Sequence, residues 1–596
     1  MSATGQSNAA QPGTAENDPW LTETGRAING AFLADEAEVM RDLLELARSP
    51  EGEAASARAL TLELVAAVRG NRSGKSGLDA FLRQYDLASQ EGVVLMCLAE
   101  ALLRVPDSET ADKLIADKIR AGDWARHAGE ADSLFVNAST WGLMLTGRIV
   151  RPDPADIRDP GSFIARLASR VGEPVVRGAL RQAMRIMGHQ FVMGRTIEQA
   201  LERAHESPQY RYSFDMLGEA AFTAADAKRY FDAYVAAIQA LGKSQTGQSF
   251  GPATPSISVK LSALHPRYEF AQRRRVHAEL TPLVVALAER ARSAGIALTV
   301  DAEESERLEI SLDIVAAVLR SPATAGWGGF GLAVQAYQKR TLAVLRFLDG
   351  AARASRRTLN VRLVKGAYWD SEIKRAQERG LSGYPVYTRK INTDVSYLAC
   401  ARYMLESASA LYPQFATHNA HTEATSVTRA RALGRSFEFQ RLHGMGGELY
   451  AEVVGPDKLN AQCRVYAPVG AHEDLLPYLV RRLLENGANT SFVNRIVDER
   501  LPAEEVAADP VVQVAQLAEI AHPRIPLPRN IFGASRLNSR GVNFADGNEL
   551  EALTSAMSQT QELERWAAPI VAGERRRGAA APVANPANLR EVVGTV

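Results

Sequence analysis

Eight polar side chains recur at one kind of position in the second half of this sequence. Glu219, Lys260, Asp301, Gln335, Lys365, His418, Gln440 and Tyr466 each lie near the end of a short β-branched or aromatic run. Two are acids, two are lysines, and the rest are amide, imidazole or phenol. Taken singly, each is explained as a strand-end polar residue meeting solvent. In succession they describe one site, because parallel strands closed into a barrel bring their C-terminal ends to a single mouth. A second set lies in HEDLLPYLVRRLLENGA, where Tyr478, Arg481, Arg482 and Glu485 stand at i, i+3, i+4 and i+7. On a helix these share an arc of roughly 100°. Alone the pattern is that of an amphipathic helix with a solvated charged face. Over a barrel mouth, the two guanidinium groups would clamp a small carboxylate through bidentate hydrogen bonds.

The elements that must position these groups follow from hydrophobic period. The runs YSFDML, SISVKL, IALTVDAE, GLAVQAY, LNVRLVKGAY, FATHN, FEFQRLHG and CRVYAP are mostly separated by helix-length stretches such as LTPLVVALAERARSAG. Strands alternating with helices indicate βαβ units and a parallel sheet. Eight units without a doubly wound fingerprint predict an α/β fold, a closed (β/α)8 barrel over residues 201–500. Upstream, FLADEAEVMRDLLELA and ARALTLELVAAVRG carry helical period, and residues 31–200 read as an all-helical arm and α-domain preceding the barrel. Residues 1–30 are polar and Gly/Pro-rich and are expected to be disordered. Residues 501–596 read as a linker: Pro-rich, then helical, then small and polar.

Bulk composition removes several function classes. The 596 residues are 46% hydrophobic and 23% charged, with 69 basic residues balancing 69 acidic ones. Such a balance supplies no basic stripe, and no nucleic-acid partner is expected. Cys97, Cys400 and Cys463 are too scattered for metal-ligand spacing or a disulfide framework, so no metal and a reducing, cytoplasmic setting are expected. The N-terminus lacks the basic and apolar regions of a signal peptide, and no apolar run is long enough to span a bilayer.

Several short motifs fail on context. GQSFG matches a nucleophile elbow, but Pro252 follows where a helix should begin. GNRSGKS is one residue short of a phosphate-binding loop, and GKSQTGQS has Gln248 where that loop needs lysine. His418 and His421 in HNAH lack a third ligand.

Longer stretches are more specific. SISVKLSALHPRYE, VDAEESERLEISLDI, VRLVKGAYWDSEIKRAQERGL, ATHNAHT, FEFQRLHGMG, YAPVGAH and YLVRRLLENGANTSFVNR resemble, in order, the proline dehydrogenase domain of the proline utilization A family. The resemblance runs from about Ala31 to Arg500. It implies FAD held non-covalently at the barrel mouth and oxidation of L-proline to pyrroline-5-carboxylate, with electrons passed to a quinone at a peripheral membrane contact. By the same resemblance, Arg362, Val364, Lys365, Gly366 and Trp369 hold the flavin and its phosphates. Gln335, Thr388, Lys390, Thr417, His418, Asn419, Gln440 and Glu485 complete that pocket. Lys260, Arg481 and Arg482 bind the proline carboxylate, Tyr368, Leu442, Tyr466 and Tyr478 wall the ring, and Glu219 pairs with Arg481 to close the site. Asp301 lies beside the amine and, with Lys260, Arg481 and Arg482, makes up the expected catalytic group.

Charged hydrogen bonds are worth about 1.5–3 kcal/mol each. Arg482→Met is therefore expected to raise KM for proline strongly while the flavin stays bound, and unchanged kinetics would rule out the clamp. The N-terminus shows no ribbon-helix-helix pattern, so the family's DNA-binding domain is expected to be absent. RLNSRGVNFADGNELEAL resembles the connector into the family's aldehyde dehydrogenase half, and only the first of its two reactions is expected here. Two other readings stand beside this one. A barrel flavoprotein acting on hydroxyproline is disfavoured by Tyr466, which leaves little room for a ring hydroxyl. A non-catalytic scaffold or regulator would purify colourless.

Overall fold

A computed structural model of the chain describes residues 23–70, 192–245, 250–406, 410–470, 478, 495–496, 500–561, 565–576 and 578–596. Eight strands, β1 (Arg211–Asp215), β2 (Ser256–Val259), β3 (Ala297–Val300), β4 (Phe330–Gln335), β5 (Leu359–Val364), β6 (Leu411–Ala416), β7 (Glu438–Leu442) and β8 (Cys463–Pro468), close into a barrel in sequence order. Every pairing is parallel, including the closing pair of β1 with β8. The expected eight-stranded barrel is observed, and each expected run overlaps one of its strands, FATHN catching only the end of β6.

The strands alternate with period 2, as a pleated sheet requires. Phe214, Ile257, Leu298, Val361, Leu363, Phe415, Phe439 and Val465 are fully or almost fully buried in the main hydrophobic core, which the strands share with the surrounding helices. Those helices have local reasons to start and stop. Helix Ala224–Ser244 opens on a capping box between Thr223 and Asp226. Helices Trp369–Arg379 and Ala420–Leu433 each end on a left-handed glycine, Gly380 and Gly434.

The inward residues are unusual for a barrel, whose interior is ordinarily packed with branched apolar side chains. Here Ser213, Ser258, Arg362, Gln440, Glu438 and Arg464 meet across the axis. Buried polar groups survive in such a place only when paired, and these are. Ser213 and Ser258 lie 3.0 Å apart, and both accept from Arg362 Nη2, at 3.0 and 3.1 Å. Arg362 Nε donates to Gln440 Oε1 (2.6 Å), and Gln440 Nε2 donates to Glu438 Oε1 (3.1 Å). Glu438 in turn accepts from Arg464 Nε at 2.6 Å and Arg211 Nη1 at 2.9 Å. A hydrogen-bonded column thus runs from the N-terminal floor of the barrel towards its mouth.

Outside the barrel, α1 (Glu23–Gly30), α2 (Glu36–Ala47) and α3 (Glu51–Gly70) form an arm along the outer helices. Residues 23–30 correct the expected disorder: Ile28 is fully buried in the main core, so tertiary packing orders a segment whose composition reads as unstructured. The arm also reaches the loop before helix Lys390–Glu406. Glu36 accepts from Thr388 N and Oγ1 and from Asn392 Nδ2. The C-terminal stretch is a second correction. Ile570–Val571 with Glu574–Arg575, and Pro582–Asn585 with Asn588–Thr595, form two small antiparallel ladders where a small, polar tail was expected. The first turns on Ala572 and Gly573, both at positive φ (53° and 83°). An alanine there hides the hairpin signal that Asn-Gly would have given. No helix among the described residues is long and apolar enough to cross a membrane.

Candidate active site

Five side chains converge where β1, β2, β3, β5 and β8 deliver their inward residues to the mouth: Asp215, Lys260, Asp301, Arg362 and Tyr466. Lys260 Nζ donates to Asp215 Oδ2 at 2.6 Å and stands 3.6 Å from Asp301 Oδ2 and 3.4 Å from Tyr466 Oη. Tyr466 Oη lies 2.5 Å from Asp215 Oδ2 and 2.7 Å from Asp301 Oδ2. Arg362 Nη1 donates to Asp301 Oδ1 at 2.6 Å, and its guanidinium sits 5.1 Å from the Tyr466 ring centroid. The cluster is almost dry: the side chains of Asp215, Lys260 and Asp301 are 0%, 7% and 10% exposed. Burial works against the Lys260 ammonium, but the Asp215 and Asp301 carboxylates outweigh it and hold its pKa well above the usual lysine range. Burial, reinforced by the two carboxylates, raises the Tyr466 phenol in the same direction, so it stays neutral.

Sequence reasoning pointed to Lys260, Asp301 and Tyr466, and the structure brings them together. It missed Asp215. Glu219 was read as the acid of the first strand, whereas the strand ends at Asp215 and Glu219 lies four residues on, half-buried in the loop. The signal was present, since Ser213 and Asp215 are the two polar residues at period 2 inside YSFDML.

The residues expected to hold a cofactor line the opposite side of the mouth, at the ends of β4 to β7. Val364 pairs with Gln335, whose Nε2 donates to Glu303 O (2.7 Å) and whose Oε1 faces Ala367 N (3.4 Å). Lys365 pairs with Asp394, and Trp369 Nε1 donates to Tyr387 O at 2.8 Å. Gly366 holds φ at +135°, and a Cβ there would come within 2.5 Å of the Tyr337 ring, so the loop admits no side chain. Lys390 is exposed at the start of its helix, and Thr388 is buried against Glu36. Asn419 caps helix Ala420–Leu433 by accepting from Thr422 N, Thr417 Oγ1 accepts from Asn419 N, and His418 Nε2 accepts from Leu442 N at 3.2 Å. Gln440 lies lower, inside the barrel, with its amide committed to Arg362 and Glu438. Tyr368 and Leu442 are half-buried at the rim and Tyr478 is buried. Arg481, Arg482 and Glu485 lie outside the described residues.

His443, just past β7, donates its backbone N–H to Tyr466 O at 3.0 Å. Burial, helped by Arg203 and Arg441, pushes its imidazole pKa down to about 3. For a depressed group, the stability it contributes is present above the unfolded value, 6.5, and is lost as pH falls towards the folded one. At pH 5 the loss is on the order of 2 kcal/mol. His443→Gln is expected to flatten the fall in thermal midpoint between pH 7 and pH 5, and a slope identical to wild type would refute this.

A closed parallel barrel whose strand ends gather buried acids, a lysine, an arginine and a phenol at one mouth has the layout of a (β/α)8-barrel enzyme. Comparison with known proteins makes the class definite. The model described as "Proline dehydrogenase" matches residues 198–495, and "Proline utilization A proline dehydrogenase N-terminal domain" matches 24–69. The chain belongs to the proline dehydrogenase family. It is 50% identical over 593 residues to "Bifunctional protein PutA" of Escherichia coli (strain K12), covering 96% of this chain and 44% of that protein. The Rhizobium meliloti protein of the same name is 47% identical over 580 residues, covering 96% of this chain and 46% of the relative. The chain therefore spans under half the length of these relatives. A crystal structure of a Bradyrhizobium japonicum Proline Utilization A mutant superposes with a TM-score of 0.69 at 49% identity, covering 88% of this chain and 53% of that one. The Bdellovibrio bacteriovorus protein, at 21% identity and a TM-score of 0.68, shares the fold.

One expectation is overturned in part. A model described as "DNA-binding domain of Proline dehydrogenase" matches residues 77–191, where no such module was expected. The absence had been argued from balanced net charge and from the first residues. Whole-chain charge, however, averages over any local surface, and the matched segment lies beyond the first residues, inside the stretch 31–200 expected to be helical. These residues lie outside the described ones.

Proposed function

We propose that the barrel oxidises L-proline to delta-1-pyrroline-5-carboxylate, taking a hydride from the ring carbon next to nitrogen, with FAD bound non-covalently at the mouth. The observation that carries this reading is the buried Asp215–Lys260–Tyr466–Asp301 cluster at the mouth of a barrel of this family. A small zwitterion needs a cation for its carboxylate and acids near its amine. Lys260, with Arg481 and Arg482, is proposed for the carboxylate, while Tyr368, Leu442, Tyr466 and Tyr478 wall the ring and Glu219 closes over it by pairing with Arg481.

The residues on the β4–β7 side suit FAD. Gly366 gives a bare backbone for close approach beside the Trp369 indole. Lys365, Lys390 and a helix N-terminus favour phosphate. Gln335, Val364, Thr388, Thr417, His418, Asn419 and Glu485 are proposed to complete the pocket, with Arg362 and Gln440 supporting it from below. When bound, the flavin accepts the hydride. The protein orients proline, keeps water out and neutralises its carboxylate, which is where a dry site gains most. By analogy with the bifunctional relatives, a quinone is proposed as electron acceptor at a peripheral membrane contact, and residues 501–596 as a connector towards an aldehyde dehydrogenase partner. Residues 31–200 are proposed as arm and α-domain, and 201–500 as the catalytic unit.

A chain 31% identical over 210 residues to the "Hydroxyproline dehydrogenase" of Bos taurus keeps that substrate in view. The deciding measurement is an absorption spectrum of the purified protein followed by anaerobic addition of each amino acid. Oxidised flavin bands bleached by L-proline and not by hydroxyproline are expected. Bands that proline leaves intact would refute the substrate, and no flavin even after added FAD would refute the enzyme.

A further inference from the structure

The three oxygens at the centre of the mouth contain one contact too many for ordinary protonation. Tyr466 Oη lies 2.5 Å from Asp215 Oδ2 and 2.7 Å from Asp301 Oδ2. A phenol has one proton and donates to one acceptor along a good axis. With both carboxylates ionised, the other short contact would oppose two acceptors. Resting on the proline dehydrogenase reading, we propose that Asp215, Tyr466 and Asp301 in the arrangement seen are the proton-loaded state of one shared site, which takes its additional proton from proline's amine on oxidation and releases it before the next proline binds.

The partners of each oxygen decide where that proton rests. Asp215 Oδ2 already accepts from Lys260 Nζ at 2.6 Å, and Asp215 Oδ1 accepts from Leu217 N at 3.0 Å, so Asp215 is held as an acceptor. Asp301 Oδ1 accepts from Arg362, but among the described residues Asp301 Oδ2 has only Tyr466 at hydrogen-bond distance, with Lys260 Nζ 3.6 Å away. The loaded cluster therefore reads Asp301 Oδ2–H to Tyr466 Oη, and Tyr466 Oη–H to Asp215 Oδ2. Asp301 is also the more exposed of the two acids, 10% against 0%, and is the one a substrate can reach. Among the described residues, the other titratable or charged groups facing the cluster are Lys260 after β2, Arg362 on β5, and Tyr234, whose hydroxyl accepts from Lys260 N.

The chemistry balances. The substrate nitrogen enters as an ammonium, and one N–H bond breaks as its proton passes to Asp301 Oδ2. The freed lone pair would form the carbon–nitrogen double bond as the ring C–H bond breaks, with a bound flavin supplying the two-electron acceptor for the hydride. Proline loses two electrons, and the deposited proton is shared through Tyr466. Asp301 is the acceptor, and Asp215 is a positioning residue that fixes which way the phenol points.

The test is anaerobic stopped-flow reduction of the flavin by L-proline across a pH series, on the full chain with flavin content checked. Asp301→Asn is expected to slow reduction by about 10²- to 10⁴-fold, the range of a lost proton acceptor. Asp215→Asn places an amide donor opposite Tyr466, turning the phenol proton towards Asp301. The pH at which the rate rises should then move down, with a smaller loss of rate. Infrared difference spectra give a second readout: a protonated-carboxyl band that appears when proline reduces the wild type should vanish in Asp301→Asn. Tyr466→Phe, the mildest change, should abolish the shift that Asp215→Asn produces. A wild-type rate in Asp301→Asn, or rates that fall while every pH profile stays as in wild type, would overturn the shared proton and leave the proposed function standing. A wild-type flavin that proline cannot reduce overturns both.

Discussion

Arg362→Met is expected to destabilise the barrel by about 3–5 kcal/mol and to slow flavin reduction by on the order of a hundredfold. Arg362 is 4% exposed and donates in three directions, to Asp301, to Gln440 and to the Ser213–Ser258 pair. Methionine fills much of the volume but leaves Asp301 without its arginine and Gln440 Oε1 without its donor. Two serine hydroxyls would then bond only each other. The kinetic loss follows because Asp301 is fixed by Arg362 from below and Tyr466 from the side. With one support gone, its carboxylate swings within a site where small misplacement is costly. Arg362→Lys tests the geometry separately from the charge, since an ammonium cannot reproduce a fork that spans the lumen. Urea denaturation and anaerobic reduction rates check both parts. A methionine variant within 1 kcal/mol of wild type would mean the column is ornamental.

Glu438→Ala is expected to cost a similar amount, about 3–5 kcal/mol, with its effect concentrated on folding. Glu438 is fully buried at the floor and accepts from Arg464 Nε and Nη2, Arg211 Nη1, Gln414 Nε2 and Gln440 Nε2. Removing it strands Arg464, which is 3% exposed, with only the backbone carbonyls of Pro252, Tyr212 and Thr254 as acceptors among the described residues. Burial raises the Glu438 pKa, but Arg464 and Arg211 more than reverse this and leave it below the ordinary glutamate value. A depressed acid contributes above its unfolded pKa and loses that contribution as pH falls through the folded one. The gap between wild type and Glu438→Ala should therefore be full at pH 7 and narrow in acid. A gap that stays constant down to pH 3 would count against the ion-pair account. The two substitutions touch one network through Gln440, so their effects should not add.

Much of the site was legible in advance because a barrel imposes regular geometry on sequence. Once eight strand–helix units are recognised, every strand's last inward residue must reach the same mouth, and Lys260, Asp301 and Tyr466 follow from that alone. Asp215 was passed over for Glu219 because strand ends carry an error of a few residues, and at an even spacing of four, period 2 cannot tell the two acids apart. The arm was legible as helices but not as a contact. Nothing local in Glu36 announces that Thr388 and Asn392, some 350 residues on, will donate to its carboxylate.

The sequence by itself determined the alternation of strands and helices, the closed parallel barrel and the chemical types gathered at its mouth, since these depend on local period and connection order. The polar interior was half visible, as Ser213 with Asp215, Ser258 with Lys260, Glu438 with Gln440 and Arg464 with Tyr466 all stand two apart. Only the tertiary structure decided which of these meet. Barrel closure and strand tilt carry Arg362 across the lumen to Asp301 on one side and to two serines from other strands on another. That choice depends on distances between elements far apart in sequence. It also sets how many protons the mouth can hold.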